Sequence, residues 1–406
     1  MDKFQIAQTN KYNVIHCLTR EGPINRVAIA RRTDLSVPTV MSIIDELFAK
    51  GIIRSIGKGE FLRGKPPEML EIVPDRFFYI GVDIGRTTIR IVANNAISRQ
   101  ILCFQEPTGD PFPEQAFVER LRKLILRIVK RLHTNTERIL GAGIAMPGLI
   151  ENETGRVLVS PDFGWQDIPL QALLQKDLPF PVLVDNSNRA LALNESYISG
   201  EEDHSHTTFA VNLGYGIGGA LVMGEQLYSG ASGTSGEIGH STVDPNGPVC
   251  KCGKAGCLEA VASGEAIARL AREALSAQAK ARSTSKMAEL CGGDPEKIDA
   301  ALVFRAAELG DKIAMKIIDD AAEYIGIMLS TSINVLDPDR LVLCGGLMKN
   351  GPWFFEKIKI SIEKYKMKLA GRELVISVGL QGEYSTANGA CKNLANTLWW
   401  QRALPV

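Results

Sequence analysis

His240, Cys250, Cys252 and Cys257 stand in the spacing H-x9-C-x-C-x4-C, and this donor set is the sharpest chemical signal in the chain. One imidazole and three thiolates fill a tetrahedral shell, which suits zinc and leaves no position open for an activated water. Gly247, Gly253 and Gly256 punctuate the run and allow the backbone to wrap tightly. The zinc is therefore expected to be structural, a staple that pins a loop. The bland alternative is a few buried cysteines beside a core histidine. Three cysteines crowded into Cys250–Cys257 favour the metal, whereas Cys17, Cys103, Cys291, Cys344 and Cys391 are spread out as core residues are.

A second set of residues suits nucleic acid. Between Asn10 and Lys65 there are ten Lys/Arg against five Asp/Glu, although the whole chain balances 46 against 46. A small basic segment on an otherwise slightly acidic protein is the footprint of a DNA-binding module. Arg31, Arg32, Lys58, Arg63 and Lys65 are placed to neutralise phosphates, and Ser36, Thr39 and Ser42 are short enough to reach base edges. The alternative is a three-helix protein-interaction module with a solvated basic face.

The elements that must position these groups are legible from periodicity. Tyr12, Ile15 and Leu18 mark a first helix ending at Gly22-Pro23, and Arg26 to Arg32 form a second. Ser36 is a plausible N-cap for a third helix, with Val40, Ile43, Ile44 and Leu47 as its buried stripe and Gly51 at its end. Ile52–Ile56 and Met69–Val73 can pair around a glycine- and cation-rich tip. Three helices and a basic hairpin make a winged helix-turn-helix, whose third helix enters the major groove.

From Phe77 onward the pattern changes to strands, with Phe78–Gly85, Thr87–Ala93, Ile101–Phe104 and Ile139–Ala145 around a helix carrying Phe117, Leu121, Leu124, Ile128 and Leu132. A related opening recurs at Phe209–Gly214 and Gly216–Val222, so the remainder reads as a duplicated, actin-like kinase fold. The chain after Ser263 is largely helical to about Ile333, followed by a strand over Arg340–Cys344 and a glycine pair, Gly345-Gly346. The domains expected are a winged helix-turn-helix over 1–75, a first actin-like lobe over 76–195 completed by 380–406, and a second lobe with the zinc motif over 196–379. Pro74-Asp75-Arg76 reads as a short joint. Met1–Thr9 holds no apolar run for a signal peptide, and no run of about 18 apolar residues occurs. The expectation is a cytoplasmic protein without membrane insertion.

Gly236-Glu237-Ile238-Gly239-His240 and Cys250-Lys251-Cys252-Gly253-Lys254-Ala255-Gly256-Cys257-Leu258-Glu259 resemble the signature of the ROK family (repressors, open reading frames and kinases). Ala145-Met146-Pro147-Gly148, Ser160-Pro161-Asp162-Phe163-Gly164-Trp165 and Gly214-Tyr215-Gly216-Ile217-Gly218-Gly219 are similar to further family motifs. The N-terminal module, with Asn10, Gly22-Pro23 and Arg63-Gly64-Lys65-Pro66, resembles that of the repressor branch, which answers to glucose, N-acetylglucosamine or xylose. The resemblance implies an α/β actin-like (ribonuclease H-like, duplicated) sugar-kinase fold with an N-terminal winged helix-turn-helix domain. It also implies sugar contacts from Glu237, His240 and Glu259, with Asp162 standing for an asparagine. His240 is shared with the metal, since one ring nitrogen can serve zinc and the other a hydroxyl.

A sugar kinase needs a general base and cradles for the ATP phosphates. In ROK kinases the base is the Asp of an Asn-Asp-Ala-Asn run, and the matching position here is Ser187, which cannot accept a proton as a carboxylate does. Arg86 stands where the first phosphate loop has glycine, and Tyr215 replaces a small residue in the second. Asn186 is left as a holder of a sugar hydroxyl. The expected function is a DNA-binding regulator of carbohydrate-utilisation genes, a repressor before an activator, with no catalytic residue and no kinase activity. Its partners would be a double-stranded operator, a sugar or polyol effector bound in a degenerate kinase cleft, and a second copy in a homodimer, with a tetramer as the larger assembly. Two alternatives stay open. One is an ATP-dependent sugar kinase with a DNA-binding head, using Asp185 as a displaced base. The other is a repressor controlled by a partner protein.

Overall fold

The opening helices form where an apolar stripe and a capping residue coincide. α1 (Lys3–Glu21) buries Val14, Ile15 and Leu18 and stops at Gly22, where any side chain would press on the Leu18 carbonyl. α2 (Arg26–Thr33) is capped by Asn25, whose side chain accepts from the Ala28 amide at 2.9 Å. α3 (Val37–Ala49) buries Val40, Ile43, Ile44 and Leu47, one face of a 3.6-residue period. β1 (Ile53–Lys58) and β2 (Glu68–Ile72) then pair antiparallel with a bulge between Ser55 and Gly57. The structure, a computed structural model, describes residues 3–59, 66–197, 206–224, 226–277, 285–368, 374–379 and 382–401. Arg63 and Lys65 lie outside the described residues.

Two compact units divide the chain: Met1–Ala190 with Tyr384–Val406, and Leu191–Glu383. In the first, β3 (Phe78–Ile84), β4 (Thr88–Asn95) and β5 (Gln100–Pro107) run antiparallel, while β6 (Ile139–Met146) lies parallel to β3. α4 (Glu114–Arg131) packs Phe117, Leu121, Leu124 and Ile128 on that sheet. A small antiparallel sheet follows, β7 (Leu149–Ile150), β8 (Val157–Ser160) and β9 (Trp165–Ile168), then α5 (Leu170–Gln175). β10 (Val182–Asn186) adds parallel to β6, giving the order β10-β6-β3-β4-β5, and α6 (Ser187–Ser196) begins at once.

The second unit repeats this plan. β11 (Thr207–Leu213), β12 (Ile217–Met223) and β13 (Gln226–Tyr228) are antiparallel. The helices α7 (Leu258–Ala262), α8 (Gly264–Ala277), α9 (Lys286–Leu290), α10 (Ala300–Glu308) and α11 (Lys312–Leu336) precede β14 (Arg340–Cys344), which is parallel to β11. α12 (Pro352–Tyr365) and β15 (Val375–Val378) complete the order β13-β12-β11-β14-β15. Hairpin, third antiparallel strand and two parallel strands occur in the same sequence in both sheets, which is the duplicated actin-like kinase fold.

The last helix, α13 (Ser385–Gln401), returns to the first unit and lies on β3 and β6. Gly81 and Gly143 face it without side chains, because a Cβ on either would overlap the carbonyl of Ala387 or Ala390. Its Ala387, Cys391 and Leu394 share one apolar cluster with Leu18, Ile24, Ile44, Ile52 and Leu70 of the winged helix. The Pro74–Arg76 turn is tied on both sides: Asn95 Nδ2 donates to Asp75 at 2.9 Å, and Arg76 donates to the Lys50 carbonyl at 3.1 Å. The N-terminal head is thus built into the first unit rather than strung from it. No helix among the described residues is long and apolar enough to cross a membrane.

Candidate functional site

The metal-ligating atoms of His240, Cys250, Cys252 and Cys257 all lie within 4.8 Å of one another. His240 Nδ1 is 3.7 Å from Cys250 Sγ, and Cys252 Sγ is 3.5 Å from Cys257 Sγ. Tetrahedral zinc with bonds of about 2.0–2.3 Å sets its ligands about 3.5–3.8 Å apart, so the donor set fits the ion. Burial and the neighbouring Cys252 and Cys250 sulfurs push the Cys257 thiol up to about 12, a cost that a divalent cation removes by binding thiolate. The loop closes through Cys250 N to Lys254 O at 2.7 Å, and at Gly256 a left-handed φ of 67° and contact with the Asp244 carbonyl exclude a side chain. Lys254 Nζ donates to the His240 carbonyl at 2.8 Å.

The same loop sets the carboxylates. Cys257 is the N-cap residue of α7, and Leu258 N donates to Ser241 O at 2.9 Å, so this candidate ligand stands at the start of the helix that carries Glu259. Glu259 Oε2 accepts from the Ile217 amide at 3.0 Å, directly after the Gly214-Tyr215-Gly216 turn. Glu237 opens the turn Ile238–His240, which lies so close to β12 that side chains on Gly236 or Gly239 would overlap the carbonyls of Gly219 and Ile217. Glu237, His240 and Glu259 are therefore all referenced to one strand end, each partly buried. With Nδ1 turned to the sulfurs, His240 keeps Nε2 for a hydroxyl.

In the first unit, Asp162 sits in the loop after β8, held by Ser160 Oγ to Pro147 O at 2.7 Å and by the packed rings of Phe117, Phe163 and Trp165. Arg86 reaches it at 3.3 Å, so the arginine of the altered phosphate loop pairs with the candidate sugar carboxylate. Asn186 is engaged as a cap: its Oδ1 accepts from the Asn188 amide at 2.7 Å and its Nδ2 donates to Gly148 O at 2.8 Å. Ser187 begins α6. Asp185 is paired with Arg189 at 2.7 Å and accepts from Asn393 Nδ2 at 2.6 Å.

Burial pushes Asp83, at the end of β3, up to about 6, against the opposing pull of Arg90 at 3.6 Å. A carboxyl raised above its unfolded value of about 3.9 weakens the fold as pH rises from about 4 to 6. Asp83→Asn is accordingly expected to stabilise the protein by about 1–3 kcal/mol at pH 7 and to lose that advantage below pH 4. Denaturant melts at the two pH values check it, and an equal effect at both would contradict the burial argument.

On the DNA-reading side, Ser36 and Thr39 bond one another, Oγ to Oγ1 at 2.7 Å, and Ser36 also caps the Thr39 amide at 3.3 Å. Ser42 is exposed, as are Val37, Pro38, Met41 and Asp45, which periodic reading of the buried stripe passes over. Exposure opposite that stripe was the available signal. Arg31 and Lys58 are exposed at the flanks, and Arg32 pairs with Glu21 at 3.0 Å.

Residues 8–54 match the winged helix-turn-helix DNA-binding family, and residues 79–396 match the ROK family. A putative xylose repressor of Caldicellulosiruptor sp. (strain Rt8B.4) is 31% identical over 359 residues, 88% of each chain. A glucokinase of Halalkalibacterium halodurans is 32% identical over 294 residues, covering 71% of this chain and 86% of its own. The crystal structure of a ROK family transcriptional regulator, a homologue of the E. coli MLC protein, superposes with a TM-score of 0.81 at 24% identity, over 98% of this chain and 97% of that one. The repressor match spans a larger share of this chain than the kinase match does. On this agreement of fold, motif and sequence, the chain belongs to the ROK family.

Proposed function

We propose that this chain is a cytoplasmic, dimeric repressor of carbohydrate-utilisation genes whose grip on its operator is weakened by a sugar or polyol. Glu237, His240, Glu259, Asp162 and Asn186 supply the hydroxyl-binding groups, since a carboxylate accepts through two oxygens and an amide both accepts and donates. Zinc on His240, Cys250, Cys252 and Cys257 holds the first three in register. The DNA contacts are Ser42, Arg31, Arg32 and Lys58 with Arg63 and Lys65, while Ser36 and Thr39 act at the helix start.

The observation that carries this reading is the state of the base position. Ser187 cannot take a proton, and its neighbour Asp185 is committed to Arg189 and Asn393. A kinase-like body without its base, joined in one unit to a DNA-reading head, is suited to sensing rather than turnover.

The test uses full-length protein and duplexes it selects from a random pool. One sugar or polyol is expected to raise the dissociation constant by about 5- to 150-fold, the usual span of coupling between two sites. No ATP-dependent phosphorylation should accompany it, and Ser187→Asp should gain some. Robust turnover by the native chain with any sugar overturns the proposal.

A further inference from the structure

The exposed face of α3 opens on apolar side chains where a DNA-reading helix usually carries hydrogen-bonding groups. Val37 is 41% exposed and Met41 47% exposed, one helical turn apart. Pro38 and Ser42 lie beside them, and Asp45 follows a turn later, all exposed. At the helix start Ser36 and Thr39 hydrogen-bond one another, which ties one of their two hydroxyl donors. Arg31 on α2 and Lys58 at the end of β1 are exposed cations of the same head. Residues 8–54 match a DNA-binding winged helix-turn-helix, so polyanionic duplex is the occupant, and Val37, Pro38 and Met41 present aliphatic surface to it beside Ser42.

We infer that Val37 and Met41 read thymine, through the 5-methyl groups that line the major groove. This deepens the operator-binding reading above and rests on it. The thymine methyl is the apolar feature of the groove edge, and it is met by apolar side chains rather than by hydrogen bonds. Residues four apart on a helix place their Cβ atoms about 5–6 Å apart, a span of one to two base steps of about 3.4 Å. Two neighbouring thymines in each half-site thus match the pair. Val37 has one preferred χ1 in a helix and makes a fixed contact, whereas Met41 is unbranched and adapts to the second methyl. Ser42, beside Met41, is left to donate to or accept from an adjacent base edge.

Deoxyuridine removes the methyl and keeps the pairing edge, so it isolates the contact. Full-length protein first selects duplexes from a random pool, and each thymine of the winning site is then replaced in turn. Two positions per half-site are expected to lose affinity by about fourfold each, the effect of one buried methyl-sized group. In Met41→Ala one of those two positions becomes insensitive to the replacement, and in Val37→Ala the other does, which is the signature of a direct pairwise contact. Thermal melts confirm that both variants remain folded, as truncation of exposed side chains predicts. Tight, sequence-selective binding that ignores every thymine-to-deoxyuridine replacement overturns this inference and leaves the operator reading intact. Failure to select any duplex at low salt overturns both. A changed oligomeric state in Val37→Ala or Met41→Ala, with deoxyuridine sensitivity unaltered, assigns the pair to a second copy of the chain and equally overturns it.

Discussion

Cys257→Ser protein is expected to hold no stoichiometric zinc and to melt about 8–16 °C below the native chain. Loss of a structural metal belongs to the small class of changes that cost about 4 kcal/mol or more, and a unit of about 190 residues shifts by roughly 2–4 °C per kcal/mol. Cys257 carries more than a ligand. It is the N-cap residue of α7, it bridges to Thr242, and its helix delivers Glu259 to the Ile217 amide at 3.0 Å. A serine hydroxyl replaces none of the thiolate's affinity for zinc. The response to sugar should therefore vanish while duplex binding by the first unit survives. Metal analysis, a thermal melt and a duplex titration with and without sugar measure all three. Native zinc content with a melting point within about 2 °C would refute the staple.

The legibility of these features differs for physical reasons. Donor spacing within eighteen residues is local, so His240, Cys250, Cys252 and Cys257 could be grouped from the chain alone, and their ligand atoms do converge. The buried stripe of α3 was equally plain, since Val40, Ile43, Ile44 and Leu47 follow the helix period. Side-chain commitment was not. Whether Ser36 faces a base or bonds Thr39 depends on a rotamer, and whether Asn186 faces a sugar or caps α6 depends on where β10 stops. Periodicity carries neither fact. The strands β7, β8 and β9 are two to four residues long, too short for alternation to show. The pairing of Arg86 with Asp162 joins residues 76 apart, beyond any spacing rule. Cys391, one of the scattered core cysteines, is buried in the cluster that α13 shares with the head, and it donates to the Tyr79 carbonyl of β3 at 3.6 Å.

That last contact leads to the second large effect, at a residue far from any ligand. Gly81→Ala should destabilise the first unit by about 3 kcal/mol, the upper part of the overpacking range, and lower its melting point by about 6–12 °C. The added methyl would overlap the Ala387 carbonyl and meet Cys391 Sγ at 2.7 Å. Backbone on one side and a fully buried sulfur on the other cannot step aside as a flexible side chain does. α13 must shift instead, and its Ala387, Cys391 and Leu394 belong to the apolar cluster that also holds Leu18, Ile44 and Leu70. Duplex affinity should fall with stability, although residue 81 touches no DNA. Gly346→Ala is the control, since a Cβ there meets nothing within 4 Å, and its melt should match the native one within about 0.5 kcal/mol. If Gly81→Ala melts like that control, α13 does not clamp the head to the sheet. If it melts early while the head still binds duplex with native affinity, the shared cluster does not position the recognition helix. The same helix holds Asp185 through Asn393 at 2.6 Å, so one rigid element spans the head's core and the strand end that carries Asn186.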